Sequence, residues 1–257
     1  VVGQLAMLGY REFLVHRRPR VALVVTGNEL VEPGQPLKPG QIYDSNSYAL
    51  SAAIVALGLE PPQIHRALDT RESTRNAFHE ALQEADVVIS SGGVSVGDYD
   101  YVKVILEELG SRTIFWRVAI KPGKPVYFGV LDRTNVPDSR SKLVFGLPGN
   151  PVSVLVTYHQ LVKPALCKMM GVTRAFHPTF EAMLAAPLNK KPGRLDFVRA
   201  TARAGEGALV MAQPTRGQDS HMMSGLAKAN SLIHFPADAD HMDAGTIAKL
   251  DLLRWSD

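Results

Sequence analysis

The sequence predicts an α/β protein of two units: a three-layer, mostly parallel sheet domain over residues 20–171 and a small all-β domain over residues 172–257. Up to Gly171, short apolar runs alternate with helical segments, which is the pattern of βαβ units. After Gly171 the runs are short, alternating and separated by Gly and Pro, which favours strands alone. We place the boundary at residues 172–177, and we expect residues 1–19 to be a lead-in to the first domain.

The individual elements follow from apolar periodicity. In the first unit, apolar runs predict strands over residues 20–25, 87–89, 114–119, 126–131 and 143–145, and the polar stretch 133–141 is typical of an exposed hairpin tip. Helical spacing predicts helices over residues 47–57, 70–85, 99–109 and 152–170. In the second unit, alternation predicts strands within residues 181–188, 196–202 and 208–212.

The ends of these helices carry the expected signals. Asp44-Ser45-Asn46 and Asp69-Thr70 supply cap residues at two starts, and Pro151 lies at the start of the long fourth helix. Gly58, Gly110 and Gly171 each follow a helical run, where glycine is the preferred stop.

Composition limits the classes of function. The 257 residues are 46% hydrophobic and carry a net charge of only +3. Lys and Arg form no dense tract, which favours a small anionic ligand over nucleic acid.

The single cysteine, Cys167, excludes a disulfide framework, so we expect a reducing, cytoplasmic setting in which Cys167 packs inertly. No apolar run is long enough for a membrane span and no signal peptide is visible. From the start at Val1 rather than Met we expect a processed form or a fragment.

Three glycine- and proline-rich turns directly follow apolar runs, at residues 26–30, 90–98 and 147–151. Loops that leave the carboxyl ends of parallel strands meet at one edge of the sheet, where ligands bind. Within the second loop, Gly92, Gly93 and Gly97 allow successive backbone N–H groups to cradle an anion, although a plain tight turn is an equal reading. These turns predict a site for phosphate or another oxyanion.

Charged residues in and beside these loops sharpen the prediction. Glu29 follows the first strand and is either a metal or water ligand or a solvated turn residue. Asp98 and Asp100 could hold Mg²⁺ beside a phosphate, or cap the next helix. Lys121 and Lys124 lie on a proline-stiffened turn and suit a polyanion, although solvated lysines are the default.

The third loop opens the long helix. Pro148, Gly149 and Asn150 precede it, and Ser153 lies in its first turn, where free N–H groups and a hydroxyl can hold an anion or merely cap the helix.

A competing motif lies in the glycine loop. Residues 93–97 read G-x-S-x-G, the nucleophile elbow of serine hydrolases, with Ser95 as nucleophile. The chain places no acid and histidine on evident later loops of the same sheet, which disfavours a hydrolase; such an enzyme would react at Ser95 with a fluorophosphonate probe. The histidines also lack paired ligand spacing, so a zinc site is not predicted.

Several motifs together resemble one family. The order and spacing of Thr26–Leu30, Asp44–Asn46, Ser90–Tyr101, Lys121–Pro125 and Leu147–Ser153 are similar to those of the MoeA family of molybdopterin molybdenumtransferases, to which the E domain of gephyrin also belongs. The resemblance covers roughly residues 1–171, and the small β domain fits the family's C-terminal domain.

The resemblance implies insertion of molybdate into adenylylated molybdopterin, with release of AMP and dependence on Mg²⁺. It implies metal or catalytic roles for Glu29 and Asp100, and a place in the site wall for Asp44 and Ser45. It further implies anion-binding roles for a set of residues in the loops and in the second unit: Gly92, Gly93, Ser95, Gly97, Lys121, Lys124, Pro148, Gly149, Asn150, Ser153, Arg199 and Ser224.

The family pattern also implies a homodimer and a molybdopterin adenylyltransferase as a possible partner, with no nucleic acid and no membrane involved. Two departures stand out: many bacterial members have Asp where this chain has Asn28, and family members carry two further N-terminal regions. We therefore expect the chain alone to be poorly active or inactive. An adenylyltransferase of the MogA type and a gephyrin-like scaffold module remain the alternatives.

Overall fold

A computed structural model describes residues 1–94, 101–132, 141–176, 178–205 and 210–253 of the chain. The helices are α1 (Val2–Met7), α2 (Asn46–Val55), α3 (Arg71–Glu84), α4 (Val102–Glu108), α5 (Pro151–Thr157), α6 (Lys163–Met169) and α7 (Met223–Ala227). The strands up to residue 171 are β1 (Val21–Thr26), β2 (Leu30–Val31), β3 (Ile42–Tyr43), β4 (Gln63–Ala67), β5 (Val87–Ser91), β6 (Arg112–Trp116), β7 (Ile120–Lys121), β8 (Tyr127–Leu131) and β9 (Lys142–Leu147). The later strands are β10 (Thr179–Leu184), β11 (Leu188–Asn189), β12 (Leu195–Ala204), β13 (Val210–Pro214), β14 (Ser231–Phe235), β15 (His241–Met242) and β16 (Ile247–Leu252).

The main sheet of the first unit has the strand order β4-β1-β5-β9-β8-β6. Its first four strands run parallel, and β8 and β6 complete one edge in antiparallel fashion. Strands β8 and β9 flank the predicted hairpin tip, whose residues 133–140 lie outside the described part of the chain. The predicted α/β class is confirmed, with an antiparallel edge added to the parallel centre.

The first unit has three layers because alternate residues of its buried strands face helices on opposite sides of the sheet. In β1, Ala22 and Val24 pack with Phe78 of α3, whereas Val21 and Leu23 face the opposite cluster, which contains residues of α2 and α5. Every residue of β1 is buried, as expected for a parallel strand covered on both faces. This sandwich fixes the carboxyl ends of β1, β5 and β9 at one edge.

The long helix predicted over residues 152–170 is not one regular α-helix. A π-helical segment, Tyr158–Val162, separates α5 from α6. Pro164 explains the interruption, because proline lacks the N–H that an α-helix would donate to the carbonyl of Gln160 and its ring crowds that carbonyl.

The strand predicted over residues 114–119 is also wrong in its bounds. β6 ends at Trp116, Arg117 has a φ of +71°, and the chain then enters β7. β7 pairs in parallel with β12 of the second unit, with Ile120 opposite Leu195. Local sequence did not reveal this change of pairing, because the partner strand of β7 belongs to the other unit.

The second unit is a small barrel. Strands β13, β10, β16, β14 and β12 are paired in that order, and the additional β12–β13 pairing closes the sheet on itself. The predicted small β domain is confirmed, with the short helix α7 as an addition. The proposed boundary at residues 172–177 and the lead-in of residues 1–19 stay predictions.

The two units share an apolar core. Val152 and Val156 of α5 pack with Phe197 of β12, Leu226 of α7 and Leu232 of β14 in one buried cluster. In the described residues, no helix has the length and apolar character needed to cross a membrane. The shared core fixes the second unit against the strand-end edge of the first.

Candidate functional site at the strand-end edge

A cleft of about 740 Å³ lies at the carboxyl ends of β1, β5 and β9. Its walls include all three strand-end loops that the sequence singled out. The lining residues are Thr26, Gly27, Glu29, Leu30, Ile42, Tyr43, Asp44, Ser45, Asn46, Asp69, Ser91, Gly92, Gly93, Val94, Pro125, Pro148, Gly149, Asn150, Pro151, His221 and Met223. Its volume is that of a typical small-molecule site.

The loop after β1 places Glu29 in the cleft. Its two carboxylate oxygens lie 3.0 Å from where a Cβ on Gly27 would be, so a side chain at position 27 would crowd Glu29, and the φ of +147° at this position also favours glycine. The loop is tied to the end of β4 by a reciprocal pair: Asn28 N–H donates to Asp69 Oδ2 at 3.0 Å, and Asp69 N–H donates to Asn28 Oδ1 at 3.1 Å. Position 28 thus holds the loop that carries Glu29.

The glycine loop closely approaches the loop after β1. Gly92 has a φ of +93°, and a Cβ there would lie 2.8 Å from Thr26 Oγ1. Gly92 N–H also donates to the Leu147 carbonyl at 3.1 Å, which ties the glycine loop to the end of β9. Gly92 and Gly93 line the cleft, whereas Ser95, Gly97, Asp98 and Asp100 lie outside the described residues.

Asn46 joins two of these loops and was not among the predicted site residues. Its side-chain amide donates to Ser91 Oγ at 2.9 Å and to the Gly149 carbonyl at 2.8 Å. An asparagine amide carries two N–H donors on one rigid group, which suits this double contact. The signal was present in the Asp44-Ser45-Asn46 turn, but the local pattern indicated only a capping role for Asn46.

Asp44 lines the cleft but is buried and already satisfied. Its carboxylate accepts hydrogen bonds from Ser47 N–H, from Ser47 Oγ at 2.5 Å and from Arg66 Nη1 at 2.8 Å. Burial alone would raise the pKa of Asp44, but the bonds from Ser47 and Arg66 outweigh burial and hold that pKa below its ordinary value. Asp44 therefore supports the turn that presents Ser45, rather than offering a free charge.

The predicted anion-binding lysines do not line the cleft. Lys121 and Lys124 are exposed, and Lys121 Nζ lies 3.6 Å from Asp196 Oδ2 in the second unit. The end of their loop does reach the cleft through Pro125. Lys121 therefore lies at the junction between the units, and Lys124 lies one residue before the cleft residue Pro125.

The start of α5 is docked on the second unit. Pro148, Gly149 and Asn150 line the cleft, whereas Ser153 is buried in the first turn of the helix. Asn150 Nδ2 donates to Ser220 Oγ at 2.8 Å, and Val152 N–H donates to the Ser220 carbonyl at 3.1 Å. Ser153 therefore lies beside the loop of residues 217–221.

Arg199 lies under the same loop and is fully buried. Its Nη2 donates to the Gly217 carbonyl at 2.7 Å and to the Asp219 carbonyl at 3.2 Å. Its Nε and Nη1 are buried and have no hydrogen-bond partner within the described residues. Burial lowers the pKa of the Arg199 guanidinium, and the negative charge of Asp219 partly offsets this lowering. These two buried N–H groups therefore need an acceptor that the described side chains and backbone do not supply.

Ser224 is exposed on α7, beside Gly225, whose added Cβ would lie 3.5 Å from Arg199 Nε. Among the described residues, the predicted ones thus fall into two groups. One group lines the cleft. The other lies along the junction of the units and comprises Lys121, Ser153, Arg199 and Ser224, whereas Lys124 is exposed outside the cleft lining.

His221 is a cleft residue that sequence reasoning missed. It reaches the strand-end edge from the second unit, together with Met223. No spacing rule could have found it, because its approach depends on how the barrel docks. Among the described residues, no group of three or more His, Cys, Asp or Glu side chains is arranged to hold a metal ion.

Comparisons with known proteins agree with this geometry. Residues 22–168 match the family described as "Probable molybdopterin binding domain", and residues 181–253 match "MoeA C-terminal region (domain IV)". The sheet and its strand-end cleft therefore define a molybdopterin-binding domain. With domain IV following it, the chain belongs to the MoeA family.

Relatives and solved structures show the extent of the similarity. The chain is 38% identical to the molybdopterin molybdenumtransferase of Haemophilus influenzae over 96% of this chain and 59% of that protein, and 32% identical to that of Bacillus subtilis over 99% and 57%. A crystal structure of the molybdopterin biosynthesis MoeA protein from Pyrococcus horikosii superposes with a TM-score of 0.79 at 32% identity, over 99% of this chain and 59% of that one. The chain thus spans less than two thirds of the length of these relatives.

Proposed function

We propose that this chain provides the centre at which molybdenum is inserted into molybdopterin in the cytoplasm, with adenylylated molybdopterin and molybdate as substrates and AMP as a product. The observation that carries the proposal is the cleft at the edge of the molybdopterin-binding domain. It joins the loops that hold Glu29, Gly92 and Asn150 in one place. Its polar walls and its size suit a pterin linked to a nucleotide.

The second substrate, molybdate, requires its own anion site. Arg199 supports one at the junction of the units, because two of its buried nitrogens lack acceptors among the described residues. The loop that Arg199 binds also contacts the helix turn bearing Ser153. Lys121 lies on β7, which pairs with the strand that carries Arg199. We assign molybdate to this junction, with Lys124 and Ser224 as further contacts.

A divalent cation fits the cleft chemically. Mg²⁺ prefers hard oxygen ligands and binds through one or two carboxylates together with substrate phosphates. Glu29 and Asp100 would hold it. When bound, the ion would neutralise charge on the phosphoanhydride. We further propose that the whole protein is a homodimer and receives its substrate from a molybdopterin adenylyltransferase.

The test is AMP release by the full-length gene product, supplied with adenylylated molybdopterin. Release should require both molybdate and Mg²⁺. Asp100→Asn and Glu29→Gln should each reduce the rate by at least about 100-fold, the size expected when an electrostatic group is removed from an active site. Glu72→Gln, on the exposed first turn of α3, is the matched control and should leave the rate unchanged.

Full activity in Asp100→Asn would overturn the metal assignment. Consumption of ATP to form adenylylated molybdopterin, instead of its breakdown, would assign the adenylyltransferase reaction to this chain. Loss of both activities in a correctly folded full-length protein would leave only a scaffold role.

A further inference from the structure

The charges around the cleft are unbalanced for an anionic substrate. Among its described lining residues, Glu29, Asp44 and Asp69 are carboxylates, whereas His221 alone has a basic side chain. Lys121, Lys124 and Arg199 are not part of this lining. A pyrophosphate group entering the cleft therefore meets three carboxylates, of which Asp44 is paired with Arg66.

The backbone on the N-terminal side of His221 is firmly held. The Ser220 carbonyl accepts from Val152 N–H, and Ser220 Oγ accepts from Asn150 Nδ2. One residue earlier, the Asp219 carbonyl accepts from the buried guanidinium of Arg199. The same Pro148–Asn150 loop lines the cleft. The backbone is thus anchored just before His221, and its exposed imidazole lines the same cleft as Glu29.

We propose that the imidazolium form of His221 binds the pyrophosphate of the substrate in this cleft, which makes substrate binding depend on pH. The proposal rests on the proposed function and adds a specific contact to it. Histidine is the side chain that ordinarily changes its charge between about pH 5 and 8, so binding should weaken as pH rises through that range. Among the described residues, the other titratable groups lining the cleft are Glu29, Asp44, Asp69 and Tyr43, and Asp219 lies on the same loop as His221.

We assign pyrophosphate, and not molybdate, as the ligand of His221, because the cations suited to molybdate lie at the junction of the units. An experiment can separate the two anions. The probe is ADP-ribose, a pyrophosphate diester of adenosine, because a diester lacks the second titrating proton of a phosphate monoester. Adenosine serves as the uncharged control and molybdate as the second anion. Calorimetric titrations of the 257-residue chain are run without divalent cations at about pH 5.5 and about pH 8.5, on either side of the histidine range.

The expected result is that the wild type binds ADP-ribose about tenfold more tightly at the lower pH, the value of one charge-assisted hydrogen bond. His221→Gln should lose this advantage and its pH dependence, and His221→Lys should bind tightly at both pH values. His79→Gln, on exposed α3, should behave as the wild type. Adenosine and molybdate should bind the wild type and His221→Gln equally.

Unchanged binding of ADP-ribose by His221→Gln at the lower pH would overturn the inference, as would wild-type binding no tighter than that of adenosine. Loss of molybdate binding in His221→Gln would also overturn the inference, because it would show that His221 binds molybdate and not the pyrophosphate. A merely structural role predicts that both variants lose binding, whereas the proposed contact predicts rescue by lysine. The titrations involve no turnover, so a failed AMP-release test would overturn the proposed function and leave this result standing.

Discussion

Single residues set the geometry of the cleft by contacting loops other than their own. Asn46 bridges Ser91 and Gly149, and Asn28 exchanges two hydrogen bonds with Asp69. Each such bond contributes only about 1 kcal/mol to stability. Their larger effect is positional, because together they hold the ends of β1, β4, β5 and β9 in fixed relation.

Gly92 gives a prediction at this scale. Gly92→Ala should destabilise the protein and displace the loop after β1, because the new Cβ would meet Thr26 Oγ1 at 2.8 Å and the Thr26 carbonyl at 3.1 Å. The matched control is Gly34→Ala, which has nearly the same φ of +94° but no atom within 4 Å. We expect the control to cost about 1 kcal/mol, from backbone conformation alone, and Gly92→Ala to cost at least about 2 kcal/mol. Chemical denaturation measures both, and equal losses would show that the close approach does not matter.

At the scale of elements, the π-helical segment connects the two units. It places Gln160 so that its side-chain amide donates to Asp251 Oδ2 of β16 at 2.7 Å, and His234 Nε2 lies 2.8 Å from the same oxygen. Burial alone would raise the pKa of Asp251, but the close contact with His234 and the hydrogen bond from Gln160 outweigh burial and lower it. Because its pKa is lower in the folded protein, the Asp251 carboxylate stabilises the fold at pH values above its pKa in the unfolded chain, near 3.9. This stabilisation is lost as pH falls through the pKa of Asp251 in the folded protein.

Gln160→Glu tests this contact. The variant is isosteric, but it replaces the donor with a second carboxylate against Asp251, so it should lower the free energy of unfolding at pH 7 by about 1–3 kcal/mol. Two carboxylates in contact raise the pKa of one of them, so the deficit should shrink as pH falls below about 5. Urea denaturation of the variant and the wild type at several pH values measures the difference. Gln83→Glu, exposed on α3, should show almost no deficit; a constant deficit in Gln160→Glu across pH would contradict the assignment.

At the scale of the whole molecule, the two units behave structurally as one body. They share the buried cluster around Val152, Phe197 and Leu226, the β7–β12 pairing and the contact between α5 and Ser220. Separating them would expose apolar surface whose burial contributes about 25 cal/mol per Å². The cleft and the proposed molybdate site at the junction both depend on this docking, since residues of both units belong to each.

Cooperative unfolding is the corresponding prediction. Scanning calorimetry should show one transition, whose calorimetric and van't Hoff enthalpies agree. Leu226→Ala should cost about 2–5 kcal/mol and move that single transition to lower temperature. Two separate transitions, of which Leu226→Ala moved only one, would show that the units are stable independently.

Local sequence was sufficient to predict the class of each unit, the loops that follow the strands and the family resemblance. These follow from periodicity, turn residues and the rule that strand-end loops meet at one edge. The same rule is enough to assign Glu29, Gly92 and Asn150 to one site. The π-helical segment, the break between β6 and β7 and the two-group division of the site could not be predicted in this way.

Those remaining features were fixed by tertiary structure because each depends on contacts between residues far apart in the chain. The docking of the barrel brings His221 to the cleft, leaves Lys121 beside Asp196 and buries Arg199 beneath the loop that contacts α5. Side-chain identity gives the chemistry that a residue can perform, and periodicity gives the face on which it lies. The residues that pack against that face are determined only when the two units bury their shared apolar surface.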